Sequence, residues 1–240
     1  MAHVQKILLI TGWGVGTHPL NEFQMALINQ GFKVDLIDLF DALDTTCLAR
    51  YVDLAEGYDV LMGWSLGGQL ATLLAQGVFE KNGINKTLIT ITSNPCFVAN
   101  DVWDVGMSIS TFLNFQQSFE KAPLVTLKRF CYLVTQGGTK AKKDWQWLQT
   151  LINEKNKNQK TQGLDMLHHL NTVSILKNYQ GQQYHLFTEG DGLVAYKVVE
   201  NIKNLDAKFL KVETVSGSHG AIIFQAKDLS RKIAQYLTKN

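Results

Sequence analysis

The chain changes rhythm repeatedly between two hydrophobic patterns. Short apolar runs at 6–11, 33–38, 59–62 and 87–92 have the length and solid hydrophobicity of strands buried on both faces. Between them, 20–30, 45–56 and a stretch from Gly68 to about Glu80 carry apolar residues at helical spacing. In the first of these, Phe23, Leu27 and Ile28 form a stripe that stops at Gly31. Thr45 or Thr46 is the expected cap of the second. Such alternation predicts a parallel sheet with helices on both faces. The rhythm breaks after Ser93-Asn94-Pro95. From there helical patterns dominate, at 98–119, 123–134, 141–152 and 162–170, with a polar, turn-like stretch at 153–162 and no run that reads as a strand. Alternation resumes with a strand at 183–188, a helix at 195–201, a strand at 209–215 and a closing helix at 221–237. The expectation is one α/β core, 1–95 with 181–240, split by a helical lid insertion at 96–180 that sits over the strand ends.

The third strand runs into Gly63-Trp64-Ser65-Leu66-Gly67, a Gly-x-Ser-x-Gly pattern with a helix behind it. A serine on a tight strand-to-helix turn exposes its hydroxyl above the sheet, and the small residues on either side avoid collisions with neighbouring backbone. The helix then points its positive end at developing negative charge. Ser65 is therefore the candidate nucleophile. The Leu66 N–H, at the start of that helix, is one candidate oxyanion donor, and the Trp13 N–H in Gly12-Trp13-Gly14 is the other. The competing reading of Gly12-Trp13-Gly14-Val15-Gly16 is a phosphate-binding turn. The dinucleotide fingerprint, however, needs a glycine where Thr17 stands.

A serine hydroxyl needs a base, and the base needs an orienting acid; on this architecture the order is serine, acid, histidine. Asp191 lies in a glycine-flanked turn just past the 183–188 strand, where it could also be a turn aspartate bonding its own backbone. Glu189 competes but lies closer to the strand. His219 follows the last strand in Ser216-Gly217-Ser218-His219-Gly220, whose small residues leave room for the ring. The other histidines sit at the terminus (His3), in an early loop (His18), in a strand (His185) or in the insertion (His168, His169).

Composition changes this picture little. A 240-residue chain with 45% hydrophobic residues can bury a sizeable core, and its formal +2 charge gives no reason to expect nucleic acid. Cys47, Cys96 and Cys131 are too few and scattered for a disulfide framework or a zinc site, and read as free thiols of a reducing, cytoplasmic compartment. The apolar run at the start is too short for a signal peptide or a membrane span. Charge is uneven: residues 121–160 carry nine basic and two acidic side chains, +7 net, which leaves −5 on the rest. That bias suits either a solvated helical face or an acidic partner.

With these residues in hand the chain resembles the pimeloyl-acyl-carrier-protein methyl ester esterases of biotin synthesis, a family of α/β hydrolases. The resemblance rests on Gly12-Trp13-Gly14, Gly63-Trp64-Ser65-Leu66-Gly67-Gly68, Ser93-Asn94-Pro95-Cys96-Phe97, Phe115-Gln116-Gln117, Lys128-Arg129-Phe130, Asp191-Gly192-Leu193-Val194 with Lys197-Val198-Val199, and His219, in the family's order. It implies a Ser65–Asp191–His219 triad, an oxyanion hole at Trp13 and Leu66, and no cofactor or metal. Its implied substrate and carrier contacts are Trp64, Phe97, Phe115, Lys128, Arg129, Phe130, Lys142 and Lys143. Val125 and Gln146 stand where the family has arginines, and Thr11 where it has histidine before the Gly-Trp pair. The antiparallel strands usual at the family's N-terminus are not expected in this chain.

The activity expected is hydrolysis of the methyl ester of a pimeloyl chain on acyl carrier protein, by a monomeric enzyme that contacts neither nucleic acid nor membrane. A general esterase or thioesterase is the nearest alternative. A non-catalytic carrier-binding protein on the same fold is the alternative of another class.

Overall fold

The computed structural model describes residues 4–152 and 156–239. Among the described residues six strands form one sheet: β1 (Lys6–Ile10), β2 (Lys33–Ile37), β3 (Val60–Trp64), β4 (Thr87–Ile91), β5 (Gln183–Thr188) and β6 (Leu210–Val215). They lie in the order β2-β1-β3-β4-β5-β6, and every pairing is parallel. The central strands are apolar throughout because both faces are covered; every residue of β3 is buried. Helices α1 (Asn21–Ile28), α2 (Thr45–Ala55) and α3 (Leu66–Asn82) follow β1, β2 and β3. A single turn of 3-10 helix, His18–Leu20, leads into α1. Helix α2 is capped not by Thr45 or Thr46 but by Asp44, whose carboxylate accepts from the Thr46 and Cys47 N–H groups; Asp44 is extended and so precedes the helix.

Between β4 and β5 stand α4 (Ile109–Lys121), α5 (Pro123–Thr135), α6 (Ala141–Leu151), α7 (Lys157–His169) and α8 (Val173–Asn178). The 98–119 stretch is helical only from Ile109, where Ser108 caps it. Residues 98–107 instead close a small loop through a Val98–Met107 bridge, with the Met107 N–H donating to Phe97 O at 2.7 Å. Buried Trp103 anchors that loop, its indole donating to Asn94 Oδ1 at 2.8 Å. The polar stretch expected as a turn at 153–162 becomes helix from Lys157; positions 153–155 lie outside the described residues. The six-residue α8 has no clear apolar stripe in the sequence. After β5 come α9 (Lys197–Lys203), β6, and then α10 (Ala221–Phe224) and α11 (Ala226–Lys239) where one closing helix was expected. The break is Gln225, whose φ of −127° and ψ of 33° leave the helical region. The three cysteines are free thiols, and no described helix is long and apolar enough to cross a membrane.

Candidate active site

Ser65 sits between β3 and α3 with φ 55° and ψ −121°, a strained conformation for a residue bearing a side chain. The surroundings over-determine it. Its N–H donates to Ile91 O at 2.9 Å, and its carbonyl accepts from the Ser93 hydroxyl at 2.7 Å and the Gly68 N–H at 2.9 Å. Gly63 and Gly67 are obligatory: a Cβ on Gly63 would overlap the Gly67 carbonyl, and one on Gly67 would overlap the carbonyls of Ile10 and Thr11. The same packing sets the start of α3 against the end of β1. The Leu66 N–H, in the first turn of α3, has no acceptor within its helix.

Beyond β5, Asp191 is held by its neighbours, with Oδ1 accepting from the N–H groups of Leu193 (2.8 Å) and Val194 (2.9 Å). Its Oδ2 lies 2.8 Å from His219 Nδ1, and both side chains are essentially buried. Glu189, the competing acid, is exposed. In the tautomer whose Nδ1–H donates to the carboxylate, Nε2 is the acceptor, and that buried nitrogen has no hydrogen-bond partner among the described residues. The ring stands 5.6 Å from that of Trp64, the residue before Ser65. Trp64 was expected among the substrate contacts; it is instead fully buried, and its indole N–H donates to the His219 carbonyl at 3.0 Å. The reason is geometric, since it is the last residue of a central strand and points into the layer beneath the histidine loop.

Two threonines that carry no motif share this work. The Thr92 hydroxyl donates to the His219 carbonyl at 3.3 Å and the Thr188 hydroxyl to the Ser218 carbonyl at 3.1 Å. The one local signal was their position at the ends of the β4 and β5 runs. Thr92 has a φ of 46°, a second strained residue beside the elbow.

The loop after β1 is closed by Thr11, whose hydroxyl donates to Gly16 O at 2.7 Å. Trp13 is buried, its indole donating to Lys160 O at 2.7 Å and its ring meeting Phe115, Phe119 and Phe130 edge-on at 4.8–5.6 Å. Phe130 is buried and Phe97 and Phe115 half-buried; Phe97 meets Phe112 edge-on at 6.2 Å. Aromatic rings from α4 and α5 thus cover the β1 loop. A cavity of about 120 Å³ lies beside this loop, lined by Trp13, Val15, Asp38, Leu39 and Lys160, and it touches neither Ser65 nor His219. Lys128 and Arg129 on α5, and Lys142 and Lys143 on α6, are exposed and without an ion pair among the described residues. Burial lowers the Lys160 ammonium from its ordinary value, and the Asp38 charge acts against that.

Solved structures share this architecture closely. An esterase from Exiguobacterium antarcticum superposes with a TM-score of 0.82 over 99% of this chain and 93% of its own, at 15% identity. A bromoperoxidase from Bacillus anthracis gives 0.80 with the same coverage at 14% identity, and an enol-lactonase from Burkholderia xenovorans 0.80 at 10%. The chain has the α/β-hydrolase fold. No protein-family model matches this chain. In sequence it is similar to the pimeloyl-acyl-carrier-protein methyl ester esterases of Pectobacterium carotovorum (29% identical; 80% of this chain, 78% of the relative) and Shewanella woodyi (25%; 98% and 94%). It is also similar to the biotin biosynthesis bifunctional protein BioHC of Teredinibacter turnerae, 27% identical over 96% of this chain; the match spans 44% of that longer relative.

Proposed function

We propose that this α/β hydrolase is a serine carboxylesterase that removes the methyl ester from a pimeloyl chain carried on acyl carrier protein. The observation that carries the reading is the buried Asp191–His219 pair, whose histidine carbonyl is held by the indole of Trp64, next in the chain to a serine at positive φ. In acylation Ser65 Oγ attacks the ester carbonyl while His219 Nε2 takes its proton. The tetrahedral oxyanion is met by the backbone N–H groups of Leu66 and Trp13. The C–O bond to methanol then breaks, and the imidazolium returns the proton to the departing oxygen. Water, deprotonated by the same nitrogen, attacks the acyl-serine carbonyl; the C–Oγ bond then breaks, the imidazolium returns the proton to Ser65 Oγ, and the carboxylic acid leaves. Asp191 fixes the tautomer and stabilises the charged ring without itself taking the proton.

The fold of the insertion supports a carrier-bound substrate. Helices α4 and α5 place aromatic rings over the β1 loop, apolar surface that suits an acyl chain, and the exposed cations of α5 and α6 suit an acidic protein bearing a phosphate-linked chain. The names of the sequence relatives support the same substrate.

A fluorophosphonate probe on intact protein, with methyl pimeloyl carrier and p-nitrophenyl butyrate as parallel substrates, tests this. Labelling at Ser65 with a marked preference for the carrier ester is expected. Labelling with equal turnover of both esters would leave a general esterase, and no labelling would leave a binding protein. Rescue of a biotin auxotroph lacking its esterase checks the role in cells.

A further inference from the structure

The catalytic loops do not end at the sheet; they are braced from above by the end of a helix of the insertion. The Gly220 N–H, one residue past His219, donates to Val134 O at 2.9 Å and so satisfies one of the carbonyls left open at the end of α5. Three residues on, Gly137 adopts φ +85° and lies flat against Gly190, the residue before Asp191. A Cβ on Gly137 would overlap the Gly190 carbonyl, and one on Gly190 would fall 2.8 Å from the carbonyls of Gly137 and Gly217. The Gly190 N–H donates to Gly217 O at 2.9 Å, tying the acid loop to the histidine loop. Backbone thus meets backbone at one point from three segments: the end of α5, the acid loop and the histidine loop.

We infer that the turn closing α5, residues 134–138, is a positioning element for the Asp191–His219 pair, with Gly137 as its critical residue. The inference rests on the reading of Ser65, Asp191 and His219 as a triad. A side chain at 137 must push Gly190 aside, and Gly190 carries Asp191 with it. The resulting error falls on the orientation of the imidazole. Misplacement of a catalytic group by about 1 Å costs up to about a hundredfold in rate.

The test compares Gly137→Ala with Gly83→Ala in the full chain, using p-nitrophenyl butyrate. Gly83 caps α3 at φ +74° with open space around it, so alanine there meets the same backbone strain far from the triad loops. Gly137→Ala is expected to lower kcat at least about tenfold with KM unchanged, and to shift or broaden the downfield proton resonance of the His219–Asp191 bond. Gly83→Ala is expected to lose comparable thermal stability with kcat within about twofold of the parent. A folded Gly137→Ala enzyme with parental kcat, or equal losses of kcat in both variants, overturns the inference. Should Gly137→Ala not fold, Gly138→Ala serves in its place. Its Cβ would press more gently, 3.2 Å from Thr135 O and 3.5 Å from Ser218 Oγ, and a loss of kcat of twofold or more at unchanged melting temperature is then expected, with parental kcat counting against the brace. If the parent protein neither turns over the ester nor takes the fluorophosphonate label, it is the triad reading that fails, and the brace falls with it.

Discussion

At the scale of single residues, the proposed chemistry concentrates on atoms whose partners are already fixed. Asp191 spends one oxygen on two backbone N–H groups and the other on His219, so its carboxylate has little freedom to turn. Ser65→Ala is expected to lower ester turnover by about a thousandfold or more, and Asp191→Asn and His219→Ala by a similar order. The Asp191→Asn, His219→Ala double variant should lose little more than either single one, because the residues act as a unit. Steady-state rates on one soluble ester check all three, and additive losses would argue against a shared mechanism. Trp64→Phe keeps a ring in the core but removes the donor to the His219 carbonyl, leaving Thr92 as its remaining side-chain donor. One lost buried hydrogen bond costs about 1–2 kcal/mol, so a melting point several degrees lower is expected, together with a drop in kcat at constant KM.

At the scale of elements, regular alternation of pattern made the sheet legible, and its loss made the insertion hard to divide. The strand at 183–188 matches β5 end for end, because a run buried on both faces can only be a strand at that length. The carboxylate bonded to His219 is the one in the glycine-flanked turn, where freedom of the backbone lets a side chain swing inward. What stayed hidden were features set by distant contacts. The 98–107 segment has helix-like apolar spacing but is a loop, because Met107 and Trp103 bond back to Phe97 and Asn94 rather than along a helix. Thr92, Thr188 and Gly137 carry no local mark of their bonds to residues far along the chain. Helix α5 faces two ways, with Lys128 and Arg129 exposed on one side and Phe130 and Val134 buried on the other. Reversing charge at Arg129 and Lys142 to glutamate should raise KM for methyl pimeloyl carrier about tenfold and leave p-nitrophenyl butyrate within twofold. Added salt should mimic the change, since exposed charges are screened over roughly 8 Å at physiological ionic strength. Equal effects on both esters would make these cations structural.

At the scale of the whole molecule, stability is tied to pH through a group remote from the chemistry. His185, in the middle of β5, is entirely buried, with Nδ1 2.6 Å from the Thr90 hydroxyl and Nε2 3.3 Å from Gln183 Oε1. The Gln183 amide N–H₂ donates to Leu176 O, so its oxygen faces the ring, and Nε2 must carry the proton. Burial lowers the His185 pKa from 6.5 to about 4. Between these values the unfolded chain binds a proton that the folded chain refuses, so stability falls as pH drops from 6.5 toward 4 and this contribution changes no further below that. The loss over that window is about 3 kcal/mol at most. Glu213 adds a lower step. Burial alone would raise its carboxyl, but hydrogen bonds from Lys211, Lys232 and Tyr184 outweigh this and hold it at about 2, so its contribution is lost below pH 4.5. Denaturant midpoints at pH 7, 5.5 and 4.5 should show His185→Gln with a flatter upper slope than the parent, whatever its absolute stability. Parallel slopes would remove His185 from the account.

All six strands point the same way, and Ser65, Asp191 and His219 each follow the C-terminal end of one of them. On the proposed mechanism the molecule has a working rim and an idle one, and the idle rim is open to protein engineering. The turn between α3 and β4 belongs to it: Gly83 has open space around it and Ile84 is half exposed. A short tag or a new pair of chain termini placed between Ile84 and Asn85 should leave ester turnover within about twofold of the parent, whereas the same insert after Gly192 should abolish it. Such a chain could be tethered to a surface or a fusion partner by its idle rim with the rim that bears Ser65 facing outward.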